Sequence, residues 1–235
     1  MVYSDAKLAP AGPKVLMLVG DWVEDYEAMV SIQALEMLNI VVDVVSPGKD
    51  RGQMVMSCIH DFDRSHIDGA QDVVFANSLG LSGGNPVGFQ AVSERPGHAV
   101  LITRNFDNVD PADYSGLIVP GGRSPESLQL NETILDWVRR FFDEDKPVAS
   151  ICHGIQILAA AGVLDGRTCT GHPCCRPQAQ SVGAIWEPTN LMDTVIDGNL
   201  ITAAEWTATP GMLRNLAAAM GITSSYVQPA GLGRV

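Results

Sequence analysis

The chain has 235 residues, 46% of them hydrophobic and 18% charged, which suits one large α/β domain with a sizeable core and excludes a disordered chain. A formal net charge of −12 argues against nucleic acid and anionic membrane as partners, because both need a positive surface. No apolar run reaches the roughly 18 residues of a membrane span, and Met1 to Pro13 is a polar, Pro/Gly-containing lead-in without the basic-then-apolar pattern of a secretion signal, so the expected compartment is the cytoplasm.

Lys14 to Gly20 is a continuous apolar run ending in Gly, the pattern of a central parallel strand covered on both faces. Asp21 to Glu27 leads into a helix whose apolar positions Met29, Ile32, Leu35, Met37 and Leu38 keep helical spacing, with Asn39 as the stop. Ile40 to Val45 is the second strand, which makes a β-α-β unit and predicts a right-handed crossover. Ligands of open α/β sheets bind beyond the carboxyl ends of the strands. The segment after the first strand therefore faces the binding crevice with three carboxylates, Asp21, Glu24 and Glu27. For Asp21 and Glu24, an acid complementing a helix dipole is the better reading. The chemistry of the segment leaves Glu27 open.

Val55 to Ile59 reads as an extended segment, with His60-Asp61 after it. The stretch from about 64 to 93, rich in Gly, Asn, Ser and Asp, reads as an insertion, because a loop this long is uncommon in a compact domain. His66 and His98 are placed on solvated loops without a role. Ala99 to Thr103 is a short strand, and Gly116 to Pro120 another, closed by Gly121-Gly122-Arg123. Paired glycines allow backbone N–H groups to approach a ligand, the usual material of an oxyanion hole; an ordinary strand-to-helix turn fits them equally. Ser124-Pro125-Glu126 starts a helix, and Ile134 to Phe142 is an amphipathic one.

Val148 to Ile151 reads as a buried parallel strand and Ile155 to Ala161 as a helix stopped by Gly162. Cys152 lies between them, with no room for a long loop. A strand turning that sharply into a helix lifts one side chain at the strand's carboxyl end, the geometry of a nucleophile elbow with Cys in place of Ser. The helix start favours a thiolate. An inert buried cysteine fits the same stretch. Beyond it, Gly166 to Pro173 looks like a strand entering an ordered turn. Ala184 to Glu187, Val195 to Ile196 and Leu200 to Thr202 supply short edge strands, with Asp197-Gly198-Asn199 as a hairpin-like turn. Met212 to Met220 is the last helix. The expected organisation is a lead-in over 1–13, one domain over 14–223 and a tail over 224–235.

Five cysteines (58, 152, 169, 174 and 175) show neither the even count nor the spacing of a disulfide framework. His172, Cys174 and Cys175 offer metal-ligand types, but adjacent ligands suit a tetrahedral site poorly and no second cluster completes them, so no metal is assigned.

Three stretches, Glu24 to Glu27, Val119 to Glu126 and Ala149 to Gly154, stand in the order seen in the ThiJ/PfpI superfamily, as do Gly166 to Thr170 and Asp197 to Leu200. The chain resembles that superfamily from Val15 to Ile222, and looks most like one repeat of the plant tandem-domain glyoxalase III proteins and like the PfpI-type intracellular proteases. The resemblance implies a flavodoxin-like α/β sandwich related to class I glutamine amidotransferases, with a mostly parallel sheet between helices. It implies Cys152 as nucleophile, a protonated Glu27 donating a hydrogen bond to its sulfur, and His153 as the nucleophile's neighbour. It implies Glu126 as an acid reaching the His across a subunit interface, and His172 as a second histidine near the cysteine. Gly122 and the His153 amide match the oxyanion donors, with Gly121 beside them. No cofactor is implied, and a homo-oligomer is. The insertion, Thr207 to Pro210 and His172 to Cys175 depart from the family pattern where a substrate would be selected. The function implied is conversion of a reactive carbonyl, methylglyoxal to lactate without glutathione, or a deglycase reaction. A Cys-dependent peptidase or isonitrile hydratase, and a redox sensor or chaperone whose Cys152 oxidises, are the alternatives.

Overall fold

The computed structural model describes residues 12–62 and 92–222. The lead-in to residue 11, most of the expected insertion, His66 and the tail lie outside the described residues.

Among the described residues the central sheet has six strands. In chain order these are β1 (Lys14–Leu18), β3 (Val41–Val45), β6 (Gly116–Val119), β7 (Val148–Ile151), β10 (Thr194–Asp197) and β11 (Leu200–Ala203), and their spatial order is β10-β11-β7-β6-β1-β3. Every pairing is parallel except β10 with β11, which close on the expected turn at Asp197↔Leu200. The alternation of a strand sends successive side chains to opposite faces. Leu16 and Leu18 thus pack with Leu117, Val119 and Val148 under one helical layer, and Val15, Met17 and Val19 with Ile118, Ala149 and Ile151 under the other. The first layer holds α3 (Glu132–Asp143) and α4 (Ile155–Ala161); the second holds α1 (Asp25–Met37) and α6 (Thr209–Ala219). Short helices α2 (Ser124–Leu128) and α5 (Arg176–Ser181) complete the α-helices of the described residues. Asn131 caps α3, its side-chain oxygen accepting the Ile134 N–H at 3.1 Å. Helices on both faces of a mostly parallel sheet make the three-layer, flavodoxin-like sandwich expected. Among the described residues no helix is long and apolar enough to cross a membrane.

Two expectations change. Of the expected strand Ala99 to Thr103, only Ala99 to Leu101 is extended, as the end of a longer strand, β5 (Val92–Leu101), which pairs antiparallel with β4 (Met54–Phe62) and reaches into the supposed insertion. With β2 (Val23–Glu24) they form a second sheet beside the main one. The polar, Pro- and Gly-containing run from Val92 to His98 hides this strand, because such residues read as loop. Nor is Ala184 to Glu187 at the far edge of the main sheet: β9 (Ile185–Trp186) pairs with β8 (Thr168–Cys169) in a separate ribbon. His98 is exposed on β5, not on a loop, and its Nδ1 meets Asp25 at 3.1 Å.

One cluster ties the three strands of the second sheet together. His60, on β4, has Nδ1 3.4 Å from the Cys58 sulfur and 2.5 Å from Glu24, and Nε2 3.0 Å from Glu94 on β5. The sulfur contact, then the Glu24 and Glu94 carboxyls, hold the imidazolium and push His60 up to about 11. A raised histidine contributes stability that is complete below its ordinary value near 6.5 and is lost as pH climbs through the folded one. Wild type should therefore lose stability relative to His60→Gln between about pH 7 and 11, and denaturant midpoints of both proteins across that range check it. Parallel curves would show that His60 gains no charge on folding.

Candidate active site

The carboxyl ends of β1, β6, β7 and β11 converge on one pocket of about 470 Å³, bordered by Glu24, Glu27, Gly122, Cys152, His153 and Glu205 among others. Ile151 ends β7 in extended geometry, and Cys152 then turns to φ 59°, a left-handed conformation costly for a residue with a Cβ. A 3-10 turn over Cys152–Gly154 carries the chain into α4. This is the elbow foreseen at Cys152, and the strained backbone aims the sulfur at the pocket. Cys152 is only 7% exposed, so it opens on the cavity and not on bulk water.

The elbow needs close backbone approach. A Cβ on Gly154 would stand 2.2 Å from the Val119 carbonyl oxygen and 2.9 Å from Ser150 Oγ. Gly154→Ala should cost about 3 kcal/mol or more through overpacking against main chain that cannot give way. Urea unfolding measures it, and a loss below about 1 kcal/mol would show that the turn relaxes freely. Gly122, at φ 70°, brings its backbone against Trp22 and Glu24, where a Cβ would meet Glu24 N at 2.4 Å. Its N–H lies near the Cys152 sulfur, where it favours the thiolate.

Glu27 lies on the first turn of α1 and is fully buried. One carboxyl oxygen, Oε2, accepts the Gly121 N–H at 2.6 Å. The other, Oε1, has no hydrogen-bond partner among the described residues, and a Glu27 oxygen lies within 4.8 Å of both the Cys152 sulfur and Glu205. Burial, then the neighbouring Glu24 charge, pushes the Glu27 carboxyl well above its ordinary range, which favours its protonated form. The thiolate expected from the helix start does not follow from these surroundings. Burial, then the Glu27 and Glu205 carboxyls, pushes the Cys152 thiol up, against the pull of the Gly122 N–H. The Gly121 N–H is committed to Glu27, so Gly122 and His153 remain as the backbone donors near the sulfur.

His153 bridges two sulfurs, with Nδ1 3.2 Å from Cys152 and Nε2 3.2 Å from Cys174. His172 stacks on it at 4.6 Å between ring centroids, donates its backbone N–H to the Cys152 carbonyl at 3.0 Å, and meets Cys174 at Nδ1 (2.9 Å) and Glu205 at Nε2 (3.3 Å). Contact with Cys175 and both imidazoles draws the Cys174 thiol well down, while the Cys175 thiol is pushed up. Burial and nearby Glu24 raise Glu205 to about 8. Glu126 borders the pocket, and within the chain its carboxylate is held by Arg123 at 3.2 Å.

A model of the DJ-1/PfpI family matches residues 13–219. The chain belongs to the DJ-1/PfpI family. It is 41% identical over 221 residues to Protein DJ-1 homolog D of Arabidopsis thaliana, covering 94% of this chain and 51% of that protein. It is 40% identical over 112 residues to Deglycase PH1704 of Pyrococcus horikoshii, covering 48% of this chain and 66% of that protein. The chain spans about half the length of the Arabidopsis relatives it matches. Schizosaccharomyces pombe DJ-1 superposes with a TM-score of 0.64 at 19% identity, over 90% of this chain and 92% of that one, which shows a shared fold.

In this DJ-1/PfpI chain several wall residues escape sequence reasoning. Glu24 is not a solvated helix-start acid: it is buried, makes no capping hydrogen bond, and holds His60. His60 and Glu94 come from the second sheet, and their pairing across 34 positions leaves no local pattern. Glu205 follows the carboxyl end of β11 and was within reach of the rule that strand ends carry the site.

Proposed function

We propose that this protein is a cofactor-independent cysteine enzyme acting on small reactive carbonyls, converting methylglyoxal to lactate without glutathione or removing the adducts such carbonyls form. The single observation carrying this reading is the elbow sulfur of Cys152 sharing one pocket with the buried carboxyl of Glu27. The deglycase name of the archaeal relative points the same way. A pocket bordered by five glutamates favours an uncharged electrophile over carboxylate or phosphate compounds.

In this mechanism His153 Nδ1 takes the Cys152 thiol proton, which answers a thiol too buried to ionise alone. The sulfur adds to the aldehyde carbon, forming the C–S bond, and His153 returns the proton to the new oxygen as the hemithioacetal forms. The Gly122 and His153 N–H groups hold the oxyanion on the way. An imidazole, His153 or His172, then removes the proton from that carbon, the Glu27 carboxyl supplies one to the neighbouring carbon, the hydroxyl proton of the first carbon passes to the oxygen of the second, and the proton held by the imidazolium restores the Glu27 carboxyl. One carbon is oxidised and the other reduced, so no outside electron carrier enters. Water adds to the resulting thioester, the C–S bond breaks, and lactate leaves with the thiol restored. The test is incubation with methylglyoxal in the absence of glutathione, comparing wild type with Cys152→Ala and Glu27→Gln. Equal turnover in all three would end the reading. Aldehyde inertness together with Cys152-dependent amide or isonitrile turnover would replace it with a hydrolase or hydratase.

A further inference from the structure

We infer that His153, His172 and Cys174 form a binding site for a soft divalent cation of the zinc class, open on the pocket. The three ligand atoms lie within 4.8 Å of one another. Cys174 Sγ stands 2.9 Å from His172 Nδ1 and 3.2 Å from His153 Nε2. A tetrahedral zinc with its usual bond lengths separates nitrogen and sulfur ligands by roughly 3.5 Å, so small side-chain shifts admit the ion. Cys174 is exposed and can make that shift. Two imidazole nitrogens and one thiolate select zinc or cadmium over magnesium or calcium.

The outer partners are already in place. A ligating imidazole ordinarily gives its other nitrogen's proton to an acceptor, which sets the tautomer and the ring plane. His172 Nε2 faces Glu205 at 3.3 Å, and His153 Nδ1 faces the Cys152 sulfur at 3.2 Å. The ligands come from two segments, the turn Cys152–Gly154 and the turn at Pro173–Cys175 with His172 before it. The His172 N–H to Cys152 carbonyl bond and the stacked rings tie these segments together. The fourth coordination position is left to the pocket. Two other clusters fit less well. In Glu24, Cys58 and His60, both ring nitrogens of His60 are already held by carboxylates. Glu27, Cys152 and Glu205 are all buried, and a cation there would have to displace protons from deeply enclosed groups.

On binding, the S–H bond of Cys174 breaks, its proton leaves to solvent, and a metal–sulfur bond forms with no change of oxidation state. The bound ion would occupy His153 Nε2 and fix the proton on Nδ1, so that His153 could no longer accept the Cys152 proton. Inhibition by zinc follows; this consequence alone rests on the mechanism above.

Cadmium is the probe, read by its sulfur-to-metal charge-transfer absorption in the ultraviolet. Wild type should take up one equivalent with the appearance of the band. Cys174→Ser should lose the band, while Cys152→Ser and Cys58→Ser keep it, and His172→Gln should weaken affinity at least about 10-fold. Circular dichroism checks that each variant is folded. A band that persists in Cys174→Ser, vanishes in Cys152→Ser or Cys58→Ser, or never forms in folded wild type at micromolar cadmium overturns the site. Because the band is read without substrate, its failure is separate from failure of the carbonyl reaction.

Discussion

Cys152→Ser should lower kcat/KM for methylglyoxal by about 10³-fold or more while leaving the fold intact. A hydroxyl is a far weaker nucleophile than sulfur, and its proton is held more tightly. The two side chains differ by one atom, so the change barely alters the packing around a residue that is 7% exposed. Steady-state kinetics with a melting curve on the same sample separate the two effects. Loss of activity accompanied by loss of melting cooperativity would assign the defect to folding, and retained activity would remove the sulfur from the chemistry. The control matters because the position is strained: with φ at 59°, any side chain there depends on the surrounding turn to hold it.

Glu27→Gln should give the opposite pairing of stability and activity. Its amide oxygen can still accept the Gly121 N–H, which Oε2 accepts at 2.6 Å in the native chain. Its NH2 can still donate toward the sulfur, but it cannot supply a proton to a carbon. Turnover should fall by about 10²- to 10⁴-fold, the usual contribution of a placed general acid. Stability should move the other way as pH rises. Burial first, and the Glu24 charge second, raises the folded carboxyl above its ordinary value near 4.5. The folded state therefore holds a proton that the unfolded chain releases. Stability contributed by a raised group is complete below the unfolded value and is lost as pH rises through the folded one. Glutamine does not titrate, so the variant should become progressively more stable than wild type above about pH 4.5. Urea midpoints at several pH values check this. A variant that tracks wild type at every pH would mean that Glu27 is ionised in the folded protein, and the proton-donating role would fail with it.

Local pattern carried much of this molecule. The apolar runs at Lys14 to Gly20, Gly116 to Pro120 and Val148 to Ile151 are buried on both faces, and that burial forces a continuous hydrophobic signal. The tight junction at Cys152 was legible because a four-residue strand and a seven-residue helix leave so few residues between them. Glu27 was placed by two rules together, the crevice at strand ends and the family resemblance.

Tertiary structure decided the electrostatics. The helix start argues for a thiolate at Cys152, yet burial beside acidic groups pushes the thiol up, because desolvation depends on what folds over a side chain and leaves no mark in its neighbours. The grouping of Cys174 was settled in the same way. Along the chain it stands with His172 and Cys175, an awkward set of adjacent ligands, whereas in space His153, 21 positions away, supplies the third atom. Residue types and strand order are properties of the sequence; the distances that turn a thiol, two imidazoles and several carboxyls into one coupled group exist only when separate strand ends meet at the edge of the sheet.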